Sequence, residues 1–262
     1  MMFLLLVLYS VAQAASSFPT QVTLKTVDGV SLKAVYGAPS KAVNGVVFVH
    51  MAGRAKEDWQ LLAEKLYRAD VQVLAVDLRG QGGNAVAGAT APSSYAPMIA
   101  DVKAAVDYLH AKGCTNVAIV GAEVGANLAI NLAADDPSIR TVVMLSPGVD
   151  VKGVITTDAV KRYGARPLLM VASEDDVYSA RSATSLDRVA VGTHRLEMFE
   201  KAGKGTTMLN REPTLESLII GWVQTHWAAV GAEAPPQPTG PDIKLDVAPI
   251  ETSGPTAPVP TP

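Results

Sequence analysis

The chain has one cysteine, Cys114, so no internal disulfide is possible. We read Cys114 as a small apolar filler ahead of a strand. The formal net charge is only -3, and lysine and arginine form no basic stripe, which removes the electrostatic basis for nucleic-acid binding. No His, Cys, Asp or Glu group has metal-ligand spacing, no Gly-rich phosphate loop is present, and no cofactor is expected. Internal repeats are also missing. No apolar run approaches the roughly 20 residues needed to cross a bilayer, so the mature chain is expected to have no transmembrane segment.

What is present begins with an apolar run from Met2 to Val11 that ends in Ala12-Gln13-Ala14. This pattern predicts a signal peptide over residues 1–14, cleaved before Ala15, and export to the periplasm or beyond, although no Lys or Arg precedes the run. A domain is expected over 15–230, since 262 residues that are 48% hydrophobic suffice for one full core. After Gly231 the composition shifts, with nine of the 17 prolines falling between Pro235 and the end. Such a segment cannot bury enough surface to fold, and 231–262 is expected to be an extended, disordered tail.

Between these ends, "TQVTLKTVDGVSLKAVYG" (20–37) alternates apolar and polar residues around Asp28-Gly29, which predicts a hairpin. Apolar strands then alternate with amphipathic helices. Strands are expected at 44–50, 71–77, 115–121, 140–146, 166–172 and 194–200. The expected helices lie at 56–69, 95–111, 125–134, 179–189 and 212–230, with an excursion at 147–165 long enough for a minimal lid. An antiparallel hairpin followed by repeated βα units implies a mostly parallel sheet with helices on both faces, an α/β class.

Five loops carry a resemblance. "GAEVG" (121–125) sits between a strand and a helix, where the α/β-hydrolase superfamily places its G-x-S-x-G nucleophile elbow. "FVHMAGR" (48–54) is similar to the superfamily's oxyanion loop, and "DLRGQG" (77–82) to its Asp-x-Arg-Gly-x-Gly loop. "VASEDDVYS" (171–179) matches the acid loop, and "KAGKGTTML" (201–209) resembles the Gly-x-His-Gly loop. The chain resembles small esterase-like and dienelactone-hydrolase-like members over roughly residues 20–230. The resemblance implies an α/β-hydrolase fold. It puts Glu123 at the nucleophile position, Asp175 at the acid, with Asp176 as fallback, and Lys204 at the histidine. The oxyanion amides would come from Ala52 or Met51 and from Val124.

Two of the three triad groups are therefore replaced. Glu123 has no hydroxyl, and attack on an ester by a carboxylate forms an uphill anhydride. Dehalogenase-like and epoxide-hydrolase-like members use a carboxylate nucleophile, but theirs is the shorter Asp, and they keep the histidine. A lysine amine holds its proton to about pH 10, and a nearby carboxylate strengthens that hold. We therefore expect Glu123, Lys204 and Asp175 to form a charge network that fills a former active site. His50 reads as a structural histidine beneath the oxyanion loop, and Asp77 and Arg79 as a loop-fixing ion pair. The expected function is binding without catalysis. The ligand would be a small acyl or aromatic molecule in the old pocket, or a protein partner reached through the tail. The alternative is an active hydrolase of carboxylic esters or related substrates, working through an altered nucleophile or base.

Overall fold

The computed structural model describes residues 18–39 and 41–227. The expected signal peptide (1–14) and proline-rich tail (231–262) lie outside the described residues. The hairpin forms as the alternation requires: β1 (Thr20–Lys25) pairs antiparallel with β2 (Ser31–Gly37), Thr20 opposite Tyr36. The βα units follow as β3 (Asn44–Val49), α1 (Gln60–Arg68), β4 (Gln72–Val76), α2 (Ile99–Ala111), β5 (Asn116–Ala122) and α3 (Val124–Asp135). After them come β6 (Ile139–Leu145), the short β7 (Asp150–Val151) and β8 (Val154–Ile155), and α4 (Thr157–Tyr163). The chain continues through β9 (Leu168–Ser173), α5 (Val177–Asp187), β10 (His194–Phe199) and α6 (Leu215–Thr225).

Among the described residues eight strands form one sheet in the order β1-β2-β4-β3-β5-β6-β9-β10, parallel from β4 onward. The central strands are buried on both sides, which is why they read as unbroken apolar runs. Successive residues of β3 divide between the two layers. Val47 and Val49 join the core under α2 and α3, while Val46 and Phe48 join the one under α1 and α6. Each such side chain contributes about 1.5–3 kcal/mol when fully buried. Among the described residues no helix is long and apolar enough to cross a membrane.

Several boundaries differ from expectation, among them the start of the helix expected at 95–111, which begins at Ile99 after a 3-10 turn over Ala96–Met98. Lys56–Trp59 make a 3-10 turn, and the α-helix starts only at Gln60. The last helix begins at Leu215 because Pro213 disfavours a helical Glu212, whose Oε1 instead accepts from Thr214 N and Oγ1. It ends at Thr225, where His226 Nδ1 lies 2.7 Å from the Trp222 carbonyl oxygen. The excursion at 147–165 is tied down. Asn127 Nδ2 donates to Gly148 O (2.9 Å) and Val154 O (2.7 Å), and Val160 and Tyr163 are buried in the core.

Candidate functional site

The elbow is built by close approach of backbone. Between β5 and α3, Glu123 adopts φ 50° and ψ -113°, a left-handed conformation that costs a non-glycine residue about 1–3 kcal/mol. The flanking glycines are sterically required. A Cβ on Gly121 would lie 2.4 Å from Gly125 O, and one on Gly125 would lie 2.3 Å from Val49 O. The turn is held by Glu123 N donating to Leu145 O (2.8 Å) and by Asn127 N donating to Glu123 O (3.1 Å).

Both oxygens of the Glu123 carboxylate have partners. Lys204 Nζ donates to Oε1 at 2.7 Å, and Ala52 N donates to Oε2 at 3.0 Å. The Glu123 side chain is 12% exposed and that of Lys204 40%, so water screens the pair from one side. The amide that the resemblance assigns to an oxyanion is thus already occupied by a carboxylate of the same chain. Met51 O accepts from Arg54 N, and Val124 opens α3 fully buried.

The loops around the pair are fixed by residues the sequence reading missed. Lys204 N donates to Thr207 Oγ1 (3.1 Å), whose hydroxyl donates back to Lys204 O (2.6 Å). Gly205 N donates to Ser146 Oγ at 2.7 Å, and Ser146 is buried at the end of β6 with φ 49°. Asp58 joins two loops, accepting from Arg54 Nη2 (2.7 Å) and Thr206 Oγ1 (2.5 Å). Gly53 N donates to Gln81 Oε1 at 2.7 Å, anchoring the loop that carries Ala52. One signal was available in the sequence: Ser146 follows a central strand at the same C-terminal end of the sheet as Glu123.

The expected network of three charges is a pair. Asp175 is exposed, and its Oδ1 accepts from Ser173 Oγ (2.5 Å) and Gly203 N (3.0 Å) instead of pairing with Lys204. The Ser173 hydroxyl, more than the opposing effect of burial, holds the Asp175 carboxyl below its ordinary range, with help from Gly203 N and the Arg211 charge. Asp176 is the N-cap of α5, accepting from Ser179 N at 3.5 Å. His50 is buried. Leu78 N donates to its Nε2 (3.0 Å), so Nδ1 carries the proton and donates to Met51 O (2.8 Å). Burial lowers the His50 pKa, which keeps it neutral and both its nitrogens occupied.

Asp77 and Arg79 do not pair with each other, contrary to expectation. Asp77 accepts from Lys56 N (2.8 Å), Lys56 Nζ (2.7 Å) and Gly83 N (2.9 Å). Arg79 reaches out of the loop, with Nη1 2.6 Å from Asp28 Oδ2 and Nε 2.7 Å from Asp101 Oδ1. Both residues still fix the loop, through partners distant in sequence. Cys114 is buried, and desolvation pushes its thiol up to about 12. Among the described residues no three His, Cys, Asp or Glu side chains group to hold a metal ion.

A family model for the alpha/beta hydrolase family matches residues 46–258. No curated protein matches the chain. Among similar solved structures, DcsB in complex with its substrate analogue gives a TM-score of 0.69 at 13% identity, covering 80% of this chain and 99% of that one. Dienelactone hydrolase from Anabaena variabilis gives 0.67 at 19% identity, covering 80% and 99%. An esterase from Pyrococcus furiosus gives 0.64 at 16% identity, covering 80% and 93%. At these identities the likeness is one of fold.

Proposed function

Since the chain belongs to the alpha/beta hydrolase family, we propose that it is a degenerate member that binds rather than hydrolyses. Glu123 stands in for the nucleophile and Lys204 for the histidine of the triad. The observation that carries this reading is the engaged Glu123 carboxylate, held by Lys204 Nζ at 2.7 Å and Ala52 N at 3.0 Å. A carboxylate in the oxyanion position excludes a developing alkoxide from it, because two anions cannot share one donor amide. The base is missing as well. His50 is locked, while His110, His194 and His226 have their own partners, at Cys114 O, Gly192 O and Trp222 O.

The proposed ligand is a small acyl or aromatic molecule at the mouth of the elbow, with a protein partner reached through the proline-rich tail as the other route. Export, through the signal over residues 1–14, belongs to the same proposal and places this binding in the periplasm or outside the cell. The second reading, an active esterase-like enzyme, draws on the named activities of the fold relatives. It would have to free Glu123 from both donors.

Hydrolysis of short- and medium-chain nitrophenyl esters tests the proposal, comparing wild type with Glu123→Ser/Lys204→His. Turnover by the double variant alone supports a sound pocket from which the chemistry was removed. Wild-type turnover that survives repurification overturns the binding-only reading.

A further inference from the structure

The strand β10 closes the sheet, and its outer edge is unpaired among the described residues. Leu168 N donates to Thr193 O and Glu174 N to Phe199 O, so the parallel ladder uses the amides and carbonyls of Arg195, Glu197 and Phe199. Those of His194, Leu196 and Met198 therefore point away from β9, and no described residue pairs with them. A row of free donors and acceptors at strand spacing is a template for another strand.

The surroundings of this edge give the added strand a chemistry. A cleft of about 700 Å³ runs along α5 beside Met198, lined by Arg181, Arg188, Thr184 and Glu174. The guanidiniums of Arg181 and Arg188 are exposed and make no ion pair or hydrogen bond among the described residues, although most other arginines of the fold do. On the far side of Met198 a second cleft of about 450 Å³ carries Lys201 and Arg211 beside Glu200 and Glu212. A strand laid on the edge would send alternate side chains toward the two faces. One row would meet Arg181 and Arg188, and the other would pass Lys201 and Arg211.

We propose that the free edge of β10 binds an extended acidic peptide segment of a partner protein by strand addition, with carboxylates of the peptide on Arg181 and Arg188. Main-chain pairing to Leu196 and Met198 supplies the register, and the arginines supply the selection. A second copy of this chain fits less well. Edge-to-edge pairing about a two-fold at Leu196 keeps α5 of both copies on the same side of the joined sheet. The unpaired arginines of the two copies would then face each other, and like charges so placed oppose association.

The test uses the full chain and a short fluorescent peptide that alternates valine with aspartate or glutamate, read by anisotropy. Three companions are measured: the same peptide N-methylated at alternate amides, a lysine-for-acid version, and the protein variant Arg181→Glu/Arg188→Glu. Both arginines are exposed, Arg181 on α5 and Arg188 at its C-cap, so the variant should keep its fold, which circular dichroism checks. Binding of the acidic peptide is expected, weakened at least about tenfold by N-methylation and by charge reversal, a factor corresponding to about 1.4 kcal/mol. No binding at about 1 mM peptide overturns the proposal. Binding indifferent to N-methylation overturns strand addition, and binding indifferent to charge reversal overturns the acidic partner. A self-associated chain by sedimentation, with peptide excluded, would assign the edge to a second copy instead.

Discussion

Asp77 and Glu123 are held in much the same way: a lysine ammonium and a backbone amide, at 2.7 and 2.8 Å for Asp77 and at 2.7 and 3.0 Å for Glu123. They differ in burial. Asp77 and Lys56 are sealed, whereas the Lys204 side chain is 40% exposed. In the sealed pair Asp77 is shut off from water and Lys56 has only the exposed Glu57 (2.7 Å) besides, so losing one member leaves the other charge poorly compensated in a low dielectric. A half-open pair can fall back on water, and its net contribution is small. The first is therefore a structural lock on the loop after β4, and the second a feature of the site that the fold can do without. The contact pattern alone would not separate them.

Substitutions can break this contrast. Asp77→Ala leaves the buried Lys56 with only the exposed Glu57, and the amides of Lys56 and Gly83 without their acceptor, and is expected to cost about 3–5 kcal/mol of unfolding free energy in a urea titration. If it cost as little as the elbow pair, the distinction would fail. Gly125→Ala presses a methyl against Val49 O at 2.3 Å and should cost about 1–3 kcal/mol by the same titration. That locates the rigidity of the elbow in its glycines and not in its charges. Lys204→Met should shift stability by no more than about 1 kcal/mol, measured by thermal melting.

The smallest effect concerns pH. Burial pushes the Lys56 amine down, but its bonds to Asp77 and Glu57 more than offset this, and the folded pKa lies above the ordinary value. With the folded pKa raised, the stabilisation is complete below about pH 10 and fades as pH rises through the folded value. Stability measured from pH 8 upward should show this alkaline decline in wild type and lose it in Lys56→Gln.

The architecture was legible because burial on both faces leaves unbroken apolar runs, and because Gly121 and Gly125 mark a turn that tolerates no side chain there. The elbow pair was legible through the resemblance of the loops, which placed Glu123 and Lys204 opposite each other. Other contacts were hidden by sequence distance. Arg79 finds Asp28 and Asp101 at separations of 51 and 22 residues, and Asp77 finds Lys56 at 21. The neighbouring Asp77 and Arg79 suggested a local pair, yet a β-turn exit aims the two side chains apart. Asp175 was misjudged for a related reason: the hydroxyl of Ser173, two residues away, satisfies it locally before Lys204 can. Ser146 and Thr207 carry no pattern of their own and gain meaning only from the loop they hold.

The elbow carboxylate is already committed to the oxyanion amide, Ala52 N donating to Glu123 Oε2 at 3.0 Å. The amide proton of Ala52, followed by NMR in wild type and in Glu123→Ala, reports on it directly. A hydrogen bond to a carboxylate places that proton downfield in wild type, and it should move upfield in Glu123→Ala while Lys204→Met leaves it nearly unchanged. An Ala52 amide with the same shift in wild type and Glu123→Ala would mean that Glu123 stands free and that the oxyanion amide is open to a substrate.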